Sequence, residues 1–115
     1  MFNFIKNLFT DNEKYEKLYQ DVLYVTREHF NRHPDGITAI TVGLHLVVVK
    51  DTENEVAITY VLSRPVLFIG RCGANINPLK KRLADVLGRN IKLLIVEYDP
   101  LSMSRTVELK FTKKE

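Results

Sequence analysis

Apolar residues recur at helical spacing through the first third of the chain. Phe2, Ile5, Leu8 and Phe9 predict a short amphipathic segment over residues 1–9. Thr10-Asp11-Asn12-Glu13 follows as a capping box, an N-cap hydroxyl with a glutamate three residues on, and predicts the start of a long helix. Tyr15, Leu18, Tyr19, Val22, Leu23 and Phe30 form the apolar stripe of that helix, with Glu13, Glu16, Lys17 and Arg27 mostly off it. Pro34-Asp35-Gly36 closes it as a turn.

The period then changes. From Ile37 to Lys50 the pattern is that of a strand, with Ile40, Val42 and Leu44 leading into Leu46-Val47-Val48-Val49 and Gly43 marking a bulge or bend. Asp51-Thr52-Glu53-Asn54 is a polar turn, and Glu55–Ser63 alternates as the second arm of a hairpin. Arg64-Pro65 ends it, with proline suited to the first turn of a brief helix over Pro65–Ile69. Ile76, Leu79, Leu83, Val86 and Leu87 share one face of a further helix capped by Gly88. Asn90–Tyr98 is a third strand, apolar enough at Ile91 and Leu93–Val96 to be buried on both sides for part of its length. Val107, Leu109 and Phe111 alternate with Thr106, Glu108 and Lys110, which predicts a half-exposed edge strand over 105–112, before a frayed tail at 113–115. The expected fold class is α+β: a mixed three-stranded sheet extended by a C-terminal edge strand, with helices on one face. Residues 10–112 form one domain behind the apolar segment 1–9.

Composition narrows this little. A chain of 115 residues with 45% hydrophobic and 27% charged residues is ordinary for one soluble domain. The single cysteine excludes an internal disulfide, and no apolar run approaches the ~18 residues that cross a bilayer. The expected location is cytoplasmic, with no membrane role. Charge distribution says more than the net +3. Between Arg64 and Lys92 stand seven basic residues and one acid, Asp85, so this stretch carries +6 and the remainder −3. Positive charge gathers where a phosphate-binding surface would need it, although a solvated helix face gives the same count.

At the centre of that stretch is Gly70-Arg71-Cys72-Gly73, behind the aliphatic run Val66–Ile69 and ahead of the basic helix. Glycines there let the backbone turn with positive φ and approach a ligand, and a helix start behind them favours an anion. Ile69-Gly70-Arg71-Cys72-Gly73-Ala74-Asn75-Ile76 resembles the I-G-x-x-G-x-x-I signature of the KH domain, a module that binds single-stranded nucleic acid. The continuation through Leu79-Lys80-Lys81-Arg82-Leu83 to Ile95-Val96-Glu97 is similar to the type II form. That form occurs in a bacterial small-subunit ribosomal protein near the point where mRNA enters and in Era-type GTPases. The signature covers about a third of the chain, and the order of helices and strands extends the likeness to most of it.

The resemblance implies a loop that clamps a sugar–phosphate backbone through Gly70, Arg71, Cys72 and Gly73. It also implies a narrow aliphatic groove for about four nucleotides between the two helices and the third strand. Arg64, Asn75, Lys80 and Lys81 join the candidate site by position and charge, not by the motif. Pro78 departs from the family pattern and is tolerated only within the first turn of its helix or behind a cap at Asn77. The expected function is non-catalytic binding of single-stranded RNA, with single-stranded DNA as an alternative ligand and the ribosome or translation as the setting. The competing expectation is a protein-interaction module that keeps the fold without nucleic-acid binding and recruits a partner through residues 1–9 or the added edge strand.

Other chemistry is poorly supported. Cys72 beside Arg71 invites a nucleophile reading, but a phosphatase-like C-x5-R loop needs arginine where Pro78 stands. No P-loop follows Gly73. His29 and His33 could share a metal at their spacing, yet no third ligand accompanies them, and they read better as helix-end histidines favoured by the dipole. No cofactor or metal is expected.

Overall fold

In a computed structural model of the protein, the described backbone covers residues 2–98 and 105–107, and the described side chains cover residues 13–98. Among the described residues, four α-helices and four strands follow in the order α1 (Phe2–Asn31), α2 (Ala39–Val42), β1 (Leu44–Asp51), β2 (Val56–Leu62), α3 (Pro65–Ile69), α4 (Ile76–Leu87), β3 (Ile91–Glu97) and β4 (Arg105–Val107). A single 3-10 turn at Arg71–Gly73 separates α3 from α4.

The strands lie in the order β1-β2-β3-β4. β1 and β2 form the antiparallel hairpin, β2 and β3 run parallel, and β4 returns antiparallel on β3. Parallel pairing needs a crossover, and α3 and α4 supply it. Period-two alternation sends Val47, Val49, Val56, Ile58, Tyr60, Leu62, Ile91, Leu93 and Ile95 into the core. There they meet Val22, Val25 and Phe30 of α1, Phe68 of α3, and Ile76, Leu79 and Leu83 of α4. Each such side chain is worth roughly 1.5–3 kcal/mol on burial. One polar pair crosses this core: the Thr26 hydroxyl meets the Tyr60 hydroxyl at 2.8 Å and donates to the Val22 carbonyl at 2.8 Å. Burial pushes the Tyr60 phenol up from its ordinary value, against a smaller opposing effect of the Thr26 hydrogen bond, so it stays neutral. The fold is α+β and KH-like, with its helices on one face of the mixed sheet.

Two expectations from the sequence need correction. The capping box at Thr10 does not start a helix, because α1 runs unbroken from Phe2 to Asn31. Leu8, Tyr15 and Val22 fall seven apart, so the apolar phase continues across Thr10 and one helix satisfies both segments. The division between residues 1–9 and 10–112 therefore falls inside α1. Ile37–Val42 is not the start of β1. Thr38 caps a short helix by accepting the Thr41 N–H at 3.1 Å, and Gly43 at φ 66° closes it. The β-branched run reads as a strand, but local capping at both ends prevails. An irregular register between Leu44 and Leu46 follows immediately.

The remaining elements match the expected ones to within about two residues. Pro78 is the third residue of α4 and so lies within its first turn, where a missing N–H costs nothing. Of the added strand expected over 105–112, Arg105–Val107 pairs with Ile95–Glu97, and the rest lies outside the described residues, as do the tail at 113–115 and the side chains of 1–12.

Candidate nucleic-acid interface

The loop between α3 and α4 is built around a backbone that side chains would obstruct. Gly70 adopts φ 79°, ψ 166°. A Cβ placed there would sit 2.7 Å from the Asn75 backbone nitrogen and 2.7 Å from its side-chain Cγ. That region of φ/ψ space belongs almost wholly to glycine. Gly73, at φ 78°, is less constrained, because its Cβ would meet mainly the flexible amide of Asn77 at 2.7 Å. Between them Cys72 takes a left-handed conformation, φ 55° and ψ 28°, and it alone among the described non-glycine residues has positive φ. Such a conformation costs on the order of 1–2 kcal/mol outside glycine.

Hydrogen bonds hold this shape from within. Gly70 N–H donates to the Val66 carbonyl at 2.9 Å, Gly73 N–H to the Gly70 carbonyl at 3.1 Å, and Ala74 N–H to the Arg71 carbonyl at 3.0 Å. Asn75 ties the far side down twice, donating its backbone N–H to the Ile69 carbonyl at 3.0 Å and its side-chain Nδ2 to the Leu67 carbonyl at 2.8 Å. The two residues at the tip, Arg71 and Cys72, remain exposed. The loop is thus fixed at its base and open at its crown.

The other candidates are placed unevenly. Arg64 is exposed at the start of α3, anchored by its backbone N–H to the Val42 carbonyl at 2.9 Å. Lys81 is exposed and Lys80 half-buried on α4. Asn75, expected to face a ligand, has its amide nitrogen committed to the protein's own backbone. Val66, on the solvent side of α3 next to the loop, is 81% exposed and offers an apolar contact that the sequence reading did not single out. Isoleucine and leucine side chains of β3 directed inward are fully buried, so they form the support of this corner and not its surface. β4 takes the edge of β3 at Ile95–Glu97, leaving the edge from Ile91 to Leu94 without a partner strand among the described residues.

The basic stretch divides on inspection. Arg89 belongs to the frame: its Nη2 pairs with Asp51 Oδ1 at 2.9 Å and donates to the Thr52 carbonyl, stapling the β1–β2 turn to the end of α4. Arg82, on α4, lines a cleft with His29 and His33 of the α1 end. His29 is half-buried there, and desolvation first, then His33 and Arg82, lower its pKa from 6.5 to about 4. Burial and neighbouring charge therefore outweigh the favourable helix end expected from the sequence. Among the described residues no group of three or more His, Cys, Asp or Glu side chains could hold a metal. No helix among them is long and apolar enough to cross a membrane.

No protein-family model matches the chain. Similarity to curated proteins is nevertheless consistent in kind. The chain is 31% identical over 71 residues to small ribosomal subunit protein uS3 of Rhodopirellula baltica, covering 62% of this chain and 30% of that protein. It is 31% identical over 55 residues to uS3 of Campylobacter jejuni, covering 48% and 24%. It is 30% identical over 89 residues to uS3 of Rhizobium leguminosarum, covering 77% and 34%. The chain spans a quarter to a third of the length of these relatives, and what it shares with them is one KH-like portion.

Proposed function

We propose that the protein is a non-catalytic module that binds single-stranded RNA through the Gly70–Gly73 loop, in association with the ribosome or translation. The observation that carries this reading is the loop itself: a backbone only glycine can follow at Gly70, anchored from behind and presenting Arg71 and Cys72 to solvent. A strand's phosphate can approach such a backbone closely, and Arg71 supplies charge without burial. Similarity to a ribosomal small-subunit protein supports RNA over DNA as the ligand. Val66 would contribute apolar contact. Arg64, Lys80 and Lys81 would extend the positive surface along the strand.

The test is titration of short single-stranded RNA and DNA against wild type and Arg71→Asp/Cys72→Asp at several salt concentrations. RNA binding should weaken with salt as counterions are released, and the variant should lose it while melting as the wild type does. Equal binding by both proteins would sink the reading.

One observation favours a protein-interaction role instead. β1 is an edge strand, and Leu46 and Val48 are 53% and 44% exposed on the sheet face away from the helices. In register across that face they lie beside Val61 and Val96, and Thr59 and Leu94. No RNA binding at low salt, together with a stoichiometric complex blocked by Leu46→Lys, would establish that role.

A further inference from the structure

The cleft between the end of α1 and the first turn of α4 has a volume of about 190 Å³ and is lined in part by His29, Arg32, His33, Asn75, Pro78 and Arg82. None of its described lining residues is a carboxylate. Asp85, three residues from Arg82 on α4, is exposed and does not line the cleft. Glu28 accepts the Arg32 Nε at 3.0 Å, and Asp35 is exposed, with its backbone N–H donating to His33 Nδ1 at 3.1 Å. The His29 and His33 rings meet edge-on, with centroids 5.6 Å apart. Every influence resolved at His29 disfavours its protonated form, and none comes from a negative group. A half-buried imidazole facing basic neighbours, with no counterion among the described residues, leaves an electrostatic deficit that an anion would fill.

We propose that this cleft is a phosphate site, in which a phosphate group sits between Arg82 and the His29–His33 pair and His29 takes up a proton on binding. Arg82 brings a fork of donors suited to phosphate oxygens, and the start of α4 adds the positive end of its dipole. The carbonyl end of α1 acts in the opposite sense and Arg32 is already paired with Glu28, so Arg82 and a proton taken up at His29 supply the charge that faces the anion. The cleft shares Asn75 with the base of the loop but not its crown, since none of Gly70, Arg71 and Cys72 lines it. Because the bound anion raises the pKa of His29, linkage requires affinity for a phosphate of fixed charge to rise as pH falls through the bound-state value and to level off near the free value of about 4. The phosphate can be free or can be the terminal phosphate of a nucleic-acid strand.

The test follows the His29 ring proton by NMR against pH, in sodium chloride and in sodium phosphate of equal ionic strength. Wild type and Arg71→Asp/Cys72→Asp should both show the His29 midpoint raised by about one unit or more in phosphate. In Arg82→Gln the midpoint should already be higher in chloride, because a repelling charge has gone, and phosphate should add little. Should that variant not fold, Arg82→Lys keeps the charge but loses the fork, so a low midpoint in chloride with a weakened phosphate response is expected. The same His29 midpoint in both salts for wild type overturns the proposal. A 5′-phosphorylated oligonucleotide that shifts His29 at lower concentration than inorganic phosphate, where its 5′-hydroxyl counterpart does not, assigns the group to a strand end. No advantage over inorganic phosphate assigns it to the free ion.

Discussion

The Gly70–Gly73 loop and the His29–Arg82 cleft flank the same first turn of α4, yet they hold positive charge in opposite ways. At the loop, Arg71 stands in solvent on a backbone shaped by two glycines, and the strain is conformational: positive φ at Gly70, Cys72 and Gly73. In the cleft no lining residue has positive φ and the strain is electrostatic, written in the lowered pKa of His29. Exposed charge is cheap to keep and screened by salt, so it suits a transient backbone contact. Half-buried charge is costly, so it responds to protons and to a bound counterion.

The sharpest way to break the loop side is Gly70→Ala. The new Cβ would collide with the Asn75 backbone nitrogen, which is pinned to the Ile69 carbonyl and cannot give way without losing that bond. Destabilisation of about 1–3 kcal/mol is expected in chemical denaturation, together with loss of RNA binding. Gly73→Ala should be milder, because the Asn77 amide can swing aside. Equal effects at both glycines would show that crowding at Asn75 is not what fixes the loop.

Next in size, and confined to binding, is Arg71→Asp/Cys72→Asp. Both positions are exposed, so the melting temperature should be unchanged while RNA affinity falls by about tenfold or more. Neutralising Arg71 alone should reduce the slope of log affinity against log salt by roughly one.

The cleft side is tested by pH. His29 has its folded pKa near 4 and its unfolded value at 6.5. Above 6.5 both states leave it neutral and it has no effect on stability. As pH falls from 6.5 toward 4 the unfolded chain takes the proton first, so the native state loses stability across that window and the loss levels off below it. His29→Gln should flatten this limb of a stability-against-pH curve and leave the curve above pH 7 in place. An unaltered limb would mean that another group carries it.

How much of this contrast could be read from the sequence depends on the range of the interactions involved. The loop was legible because Ile69-Gly70-Arg71-Cys72-Gly73 is contiguous and glycine spacing speaks directly to backbone shape. The alternation of Val56, Ile58, Tyr60 and Leu62 likewise announced a strand. Thr10 and Ile37–Val42 misled because local signals compete: a capping box sits inside a continuous apolar phase, and a β-branched run sits between a threonine cap and a left-handed glycine. The cleft was illegible for a different reason. His29 and Arg82 are distant in sequence, and only the packing of α1 on α4 brings them to one cavity.

Arg89 supplies the smallest effect on binding and the finest division of the basic stretch. Sequence counts it with the phosphate-facing cations, whereas its guanidinium is engaged by Asp51 at 2.9 Å and by the Thr52 carbonyl. The pair is partly exposed, so its ionic part is worth little, but the bond to the Thr52 carbonyl holds the hairpin turn against the end of α4. Arg89→Gln should therefore lower stability by about 1 kcal/mol while leaving RNA affinity and its salt slope as they were. A fall in slope comparable to that of the Arg71 variant would instead place Arg89 on the nucleic-acid surface, and the separation of frame from interface along α4 would have to be redrawn.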